Sequence, residues 1–479
     1  MAFQTLGEMV RERATKHPSE IAFRQRQGDR FIDIDWKTCL ERMDRIAAGI
    51  LTAQELAPNA AVAIIGNTTL EWVLCDFAAQ MVGLQTVPIY ASLLPEEVGY
   101  MHVDTDVRLS IAENKDQMEK IREMRKGFHF FERDYDPSEV KLDRVIVIDP
   151  TGLDPADDWE SLADLEARGG EKLEETKADR EKRLADIKRD MIATYTYTSG
   201  TTGAPKAVIQ TAGMAYANMI NYCQATGLSI GEKGVNFLPL FHTAGINLPT
   251  LPIFLNGGMS TVLRKFDPET VLDLVSAGNV TCFFGVPAIY QALALSKKIE
   301  ETGFSVVRSL GCGGAPVPKH LLLDFQKRGV TICNGMGMTE TGPTVFLMDP
   351  AHAAEKIGSV GKPQSLVNVR LAGVADGTEG AGELQIRGRA VMLGYYKRPD
   401  ANAEAFDGDW FRTGDLFLKD EDGYHRIVGR LKEMIKRAGE NISAGEVEAA
   451  MREAPQIAEA AAIAVPDTLE AIPEAVVVG

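Results

Sequence analysis

Residues 195–206 read YTYTSGTTGAPK, a β-rich run that breaks into a Thr/Ser/Gly loop closed by Pro205 and Lys206. This composition suits a loop that holds phosphates. Tyr, Thr and Ile favour pleated backbone, so residues 191–197 supply a rigid strand, and Gly200 and Gly203 free the following backbone to turn its N–H groups toward an anion. Thr198, Ser199, Thr201 and Thr202 add hydroxyl donors, and Lys206 adds a point charge. The spacing is not that of a Walker A loop, which places four residues between its glycines and ends Gly-Lys-Ser/Thr. Clusters of Ser, Thr and Gly are also ordinary surface-loop material, so composition alone leaves both readings open.

Further along, residues 334–344 read NGMGMTETGPT. Closely spaced glycines let backbone approach a flat ligand, and Thr339 and Glu340 offer a hydroxyl and a carboxylate at the next turn. A carboxylate beside triphosphate oxygens would repel them, so a cation belongs between, and magnesium is the hard, oxygen-seeking choice. A strand-to-helix turn with its Glu in water accounts for the same residues. Asp415, in Arg412-Thr-Gly-Asp, can accept two hydrogen bonds, which matches the two hydroxyls of a ribose, although Asp after Gly is commonly a turn former. The Arg430 fork suits ribose or phosphate oxygens. His242 lies in PLFHTAG with no His or Cys at ligand spacing, so it reads as a neutral hydrogen-bonding imidazole, in a core or at a pocket, rather than a metal ligand. Residues 311–316, GCGGAP, strip away side-chain bulk, and with Gly335 and the strand end expected at residues 285–290 they suggest a narrow apolar slot.

TSGTTGAPK, GMGMTETGPT, TGD and GRLKEMIKRAGEN, in that order, closely resemble the adenylate-forming superfamily: acyl-CoA synthetases, the adenylation domains of peptide synthetases, and firefly luciferase. The likeness runs from about Leu6 to the last residue. It implies that Glu340 takes magnesium and Thr339 phosphate, that Asn334, Gly335, Met336 and Gly337 with Gly313, Gly314, Ala315 and Pro316 pack against adenine and substrate, and that Asp415 and Arg430 hold the nucleotide sugar. Met336 departs from the pattern, standing where an aromatic residue usually stacks on adenine. By the same resemblance Lys432 is a hinge, the loop of Lys436 and Gly439 enters a pantetheine tunnel after domain rotation, and His242 lines the carboxylate pocket.

The activity so implied is an AMP-forming carboxylate–CoA ligase that uses ATP, Mg2+ and CoA as co-substrate. No Asp or Glu accompanies FHTAG, and a buried unpaired ammonium is costly, so the expected acid is uncharged and apolar, fatty or aryl. Two alternatives stay open: a stand-alone adenylation enzyme that loads a carrier protein, and a nucleotide-binding pseudoenzyme. The second arises because the family's distal catalytic lysine loop would follow AVVVG, where this sequence stops.

The remainder of the sequence must position these groups. With 479 residues, 45% apolar and 25% charged, the chain has the balance of a soluble globular enzyme with about three domain-sized units. A formal charge of −17 disfavours nucleic acid and anionic membrane surfaces. Six cysteines without a C-x-x-C pair read as reduced core thiols, the first twenty residues read as an amphipathic helix rather than a signal peptide, and no apolar run reaches membrane length. The expectation is a cytoplasmic protein without integral membrane contact, with a homodimer open to it. Short apolar runs at 60–66, 144–149, 191–198, 235–241, 281–286, 307–314 and 330–336 alternate with helical patterns, which predicts α/β architecture with largely parallel, helix-covered sheets. Residues 171–190, dense in both charges, read as a solvated helix or linker. From Gly382 short strands and turns suggest a small β-rich lobe, and near Arg430 the texture changes again, before a helix at 444–452 and two strands. The organisation expected is an AMP-binding domain at 1–429 and, at 430–479, the start of a small mobile α+β C-terminal domain, incomplete at Gly479.

Overall fold

The computed structural model describes residues 5–28, 30–53, 56–155, 158–198, 203–375, 377–437, 440–443, 447–448, 451, 459–465 and 472–478. Seven strands form one sheet in the order Lys206–Thr211, Ile192–Thr198, Gln85–Tyr90, Ala61–Gly66, Val107–Ala112, Arg144–Val147, Trp159–Ser161. Every neighbouring pair is parallel except the first. Ala61–Gly66 is buried at all six positions, as a strand covered on both faces must be, and this is why it reads as an unbroken apolar run.

A nine-stranded sheet follows the order Lys362–Pro363, Phe346–Leu347, Ile332–Met336, Ser309–Cys312, Cys282–Gly285, Lys233–Asn236, Met259–Val262, Ile21–Gln27, Arg30–Asp35. Its central pairings are parallel and its edges antiparallel. One apolar cluster joins the two sheets, taking Val62 and Ile64 from the first and Phe23 and Val262 from the second. At its centre Phe254 lies against Phe23, Trp36 and Phe77, with ring centroids 5.0, 4.4 and 5.2 Å away. The helix Leu70–Met81, started by Thr69 accepting from the Trp72 N–H at 3.2 Å, is among the elements that fill this space.

Asp76 interrupts the apolar surface of that helix, and only 2% of it is exposed. Desolvation pushes its carboxyl up to about 6, against partial compensation by Thr86 and Gln80. Because the folded value exceeds the unfolded one, the protonated form is favoured by folding. The contribution of Asp76 to stability is full below about pH 4 and is lost as pH rises through 6. Asp76→Asn is expected to gain on wild type by about 1–2 kcal/mol between pH 5 and pH 8, read by urea unfolding at both values. A gap between the two proteins that does not change with pH contradicts this.

The structure corrects the sequence reading in several places. The strand before the Thr/Ser/Gly loop has a hairpin partner, Lys206–Thr211, whose Val208, Ile209 and Thr211 favour pleated backbone. Residues 285–290 are not a strand end: Gly285 closes a strand, and Pro287 starts the helix Pro287–Leu295. The run 235–241 is strand only to Asn236. The charged segment forms the helix Leu173–Asp186, but it is packed rather than fully solvated, burying Thr176, Arg180 and Leu184 and pairing Arg180 with Asp44. The β-rich lobe begins at Val367, earlier than Gly382, as the sheet Val367–Leu371, Gly380–Gly388, Trp410–Lys419, Phe406–Asp407, with His425–Arg430 also pairing Trp410–Lys419.

Five of the six cysteines are buried, and all six are free thiols. Among the described residues no helix is long and apolar enough to cross a membrane. Near the end of the chain Met434–Arg437 pairs with Glu440–Ser443, and Glu459–Val465 with Ile472–Val478. Most of the helix expected at 444–452 lies outside the described residues.

Candidate active site

The parallel strands Lys233–Asn236, Cys282–Gly285, Ser309–Cys312 and Ile332–Met336 point the same way, and the segments singled out by sequence follow their carboxyl ends. Ligands of open α/β sheets bind in that crevice. His242 follows the first strand, Gly313 to Pro316 the third, and Gly337 to Glu340 the fourth.

Thr198 pairs with Lys206 across the base of the hairpin, so the Thr/Ser/Gly loop is its tip. Ser199, Gly200, Thr201 and Thr202 lie outside the described residues. The base is tied down on one side: the Tyr100 hydroxyl donates to the Pro205 carbonyl at 2.9 Å, Arg398 donates to Tyr100 at 2.6 Å and to Asp104 at 2.9 Å, and the Tyr197 hydroxyl donates to Asp104 at 2.9 Å. On the other side the Lys206 ammonium sits 5.2 Å from the centre of the Tyr395 ring. Tyr395 is held by a bridge to Val208, and its hydroxyl donates to Glu340 Oε1 at 2.9 Å. Burial, reinforced by the Glu340 carboxylate, raises the Tyr395 phenol far above its ordinary range, so it remains a donor at any working pH. Lys206, Tyr395 and half-buried Glu340 thus form one contiguous row.

Gln210, four residues beyond Lys206, is the joint of the site. Its amide donates to the Thr339 carbonyl at 3.0 Å and to Thr243 Oγ1 at 3.4 Å, while its carbonyl accepts from Thr196 at 3.3 Å. One side chain therefore fixes the hairpin to the turn Thr339–Thr341 and to the residue after His242. Sequence reasoning missed both Gln210 and Tyr395. Replacing Gln210 with Met should strand the Thr339 carbonyl and the Thr196 hydroxyl, Thr243 keeping its bond from Asn247, and lower stability by about 1–3 kcal/mol, measured by denaturant unfolding. An unchanged midpoint would show that these bonds contribute nothing.

The glycines at 335 and 337 serve the protein first. A methyl on Gly337 would overlap the Pro343 carbonyl oxygen, and one on Gly335 would stand 2.9 Å from Leu347 and 3.0 Å from the Phe346 carbonyl. The turn folds back on itself, and the Met392 N–H fixes it by donating to the Glu340 carbonyl at 2.8 Å. Gly313 faces Phe284, whose ring would lie 2.8 Å from an added methyl, whereas Gly314, Ala315 and Pro316 are exposed. Gly314 has φ of +80°, and an added methyl would touch Val286 at 3.6 Å.

His242 is exposed, not buried in a core. Its Nδ1 accepts from the Ala244 N–H at 3.1 Å, which leaves the proton of the neutral ring on Nε2. Desolvation by the surrounding atoms lowers its pKa, so the ring is neutral near pH 7. The adjacent Phe241 stacks on Tyr90 with centroids 3.8 Å apart. Asn236 clamps the segment by donating to the Gly245 carbonyl at 2.8 Å and to Thr250 at 2.6 Å.

Asp415 and Arg430 are brought together in the lobe as a cross-strand pair, with Nε 3.1 Å from Oδ1 and Asp415 mostly buried. Phe417 stacks on Phe346 at 5.6 Å, and Phe346 pairs with Met336, so the strand of Asp415 passes close to half-buried Met336 and to the strand holding Asn334. Lys432 is exposed in the turn Leu431–Glu433, which begins immediately after the strand of Arg430. The backbone of Lys436 lies in Met434–Arg437, and Gly439 falls outside the described residues.

A family model described as AMP-binding enzyme matches residues 10–396. Feruloyl-CoA synthases of Amycolatopsis sp and Streptomyces sp are each 42% identical over 283 residues, covering 58% of this chain and 57% of theirs. An indoleacetate–CoA ligase of Aromatoleum aromaticum is 35% identical over 272 residues, 56% of this chain and 53% of that one. The matches span little more than half the length of these curated relatives. Among solved structures, a Mycobacterium tuberculosis fatty acyl CoA synthetase superposes with a TM-score of 0.77 at 26% identity, covering 99% of this chain and 88% of that one. An o-succinylbenzoate CoA synthetase of Bacillus subtilis, in complex with ATP and magnesium ion, has the same fold, with a TM-score of 0.77 at 24% identity over 98% of this chain and 88% of that one.

Proposed function

The chain belongs to the AMP-binding enzyme family, and from that premise we propose that it is an AMP-forming carboxylate–CoA ligase for apolar acids. The observation that carries this reading is the row of Lys206, Tyr395 and Glu340 beside the hairpin, joined by Gln210 to Thr339 and to the segment of His242. In this reading ATP lies along that row. Lys206 and the hydroxyls of Thr198 and Thr339 bind phosphate oxygens, and Asp415 with Arg430 holds the ribose. Preorganised charge of this kind supplies most of the catalysis in phosphate displacement, where little covalent chemistry falls to the protein.

The donors at hand, one carboxylate and several hydroxyls, are all oxygen and fit a hard cation that keeps water and phosphate among its ligands. Magnesium held by Glu340 would neutralise charge on the triphosphate. Tyr395 orients the Glu340 carboxylate for that task. Neutral His242 offers its Nε2 proton to an oxygen of the incoming acid, which positions the carboxylate to attack the α-phosphorus with release of pyrophosphate. CoA thiolate then displaces AMP from the acyl-adenylate. We place the domain boundary at 429/430 and the hinge at Lys432.

The 42% identity to feruloyl-CoA synthases supports an aryl acid over a fatty one. A panel of hydroxycinnamates, arylacetates, alkanoates and α-amino acids, each tested with ATP, CoA and magnesium, decides the substrate class. Aryl acids giving CoA thioester fastest is the expected result, and an α-amino acid as the preferred substrate would overturn it.

A further inference from the structure

A cavity of about 300 Å3 lies behind the hairpin, between the helices Leu6–Lys16, Leu70–Met81 and Ala212–Thr226. Its size is at the lower end of small-molecule pockets, about 300–1,000 Å3. Most of the wall is apolar, Met9, Phe77, Ile192, Met219 and Leu251 among it. Arg13 breaks that wall. Only 6% of Arg13 is exposed, its Nε has no partner, and no hydrogen bond or ion pair reaches its guanidinium among the described residues. Trp72, 1% exposed, lines the same cavity, and its buried indole N–H has no partner. A guanidinium taken out of water without an anion is unfavourable, and an arginine fork is the side chain best matched to a carboxylate. Asp76 does not fill the role: it lines the same cavity but takes its hydrogen bond from Gln80 at 3.0 Å and makes no ion pair with Arg13.

We infer that this cavity binds an amphipathic anion, a chain or ring of up to roughly ten carbon-sized groups at about 30 Å3 each, with its acidic head group on Arg13. Trp72 supplies a second donor to the head group. Gln210 and Asn247 also line the cavity, and Gln210 is the side chain that ties the hairpin to Thr339. An occupant therefore braces the candidate active site from behind, a coupling that rests on the ligase reading, whereas binding itself does not. The same chemistry has two sources: a free monocarboxylate acting as an effector, or the far carboxylate of a dicarboxylic substrate.

The full chain, without nucleotide or CoA, is titrated with octanoate, octanedioate and octanol by calorimetry and tryptophan fluorescence. Octanoate should bind with one-to-one stoichiometry. Arg13→Gln should weaken octanoate ten- to a hundredfold, the range of a hydrogen bond to a charged group, and leave octanol unchanged. Arg13→Lys should restore part of the loss, and Ala215→Phe, which fills the cavity, should abolish all binding. Circular dichroism melting confirms that each variant is folded. In turnover assays, octanoate that competes with the acid assigns the cavity to the substrate, and octanoate that changes kcat without competing assigns it to an effector. Either supports the site. Octanoate that fails to bind, or binds Arg13→Gln as tightly as wild type, overturns it.

Discussion

Glu340→Gln is expected to remove the magnesium-dependent part of ATP binding while leaving the fold intact. The substitution keeps the shape of the side chain, and an amide oxygen can still accept from the Tyr395 hydroxyl that now donates to Glu340 at 2.9 Å. Only the charge is lost. In wild type, ATP with magnesium at a hundredfold excess over its Kd adds about 2.7 kcal/mol to stability, seen as a rise in Tm over ATP with EDTA. In the variant the two melting curves should coincide, and acid-dependent pyrophosphate release should fall by about a hundred- to a thousandfold, as when one charge-stabilising contact is removed from a desolvated site. An undiminished magnesium-dependent shift would place the metal elsewhere.

The second large effect separates two kinds of glycine that look alike in sequence. Gly337→Ala drives a methyl into the Pro343 carbonyl, so the turn carrying Thr339 and Glu340 must move. Overpacking against backbone costs about 1–3 kcal/mol or more, and here no flexible side chain can yield. Gly203→Ala is the control, since nothing lies within 4 Å of its added methyl. Its midpoint in urea should stay within about 0.5 kcal/mol of wild type. ATP affinity should fall nevertheless if the loop tip approaches phosphates through bare backbone. Equal stability of the two variants would contradict the packing role of Gly337.

Patterns legible in the sequence were those written locally. Strands such as Ala61–Gly66 are buried on both faces and need no partner to be recognised, and the helix Leu6–Lys16 announces itself by period and charge. The chemistry-bearing segments were legible for the same reason, since each is a short run following one strand. What joins them was not. Gln210 meets Thr339 across 129 residues, and Tyr395 meets Glu340 across 55. A glutamine in a short strand and a tyrosine in a Gly-Tyr-Tyr turn carry no mark of such partners. The charged helix Leu173–Asp186 misleads in the same way: its Arg180 is buried on Asp44, 136 residues earlier. For His242 the apolar neighbours in sequence left core and pocket both open, and only the structure, in which the residue is exposed, decides against the core. At Gly337 the space a side chain would need is taken by the Pro343 carbonyl, a packing demand that the sequence does not display.

The central claim is that a carboxylate attacks the α-phosphate of ATP in the crevice at the strand ends. Labelling both carboxylate oxygens of an activated acid with 18O, and analysing the nucleotide after turnover with ATP and CoA, tests this directly. The account predicts AMP carrying one 18O, formed in equal amount with pyrophosphate and CoA thioester. Release of ADP and phosphate, or AMP free of label, would contradict it.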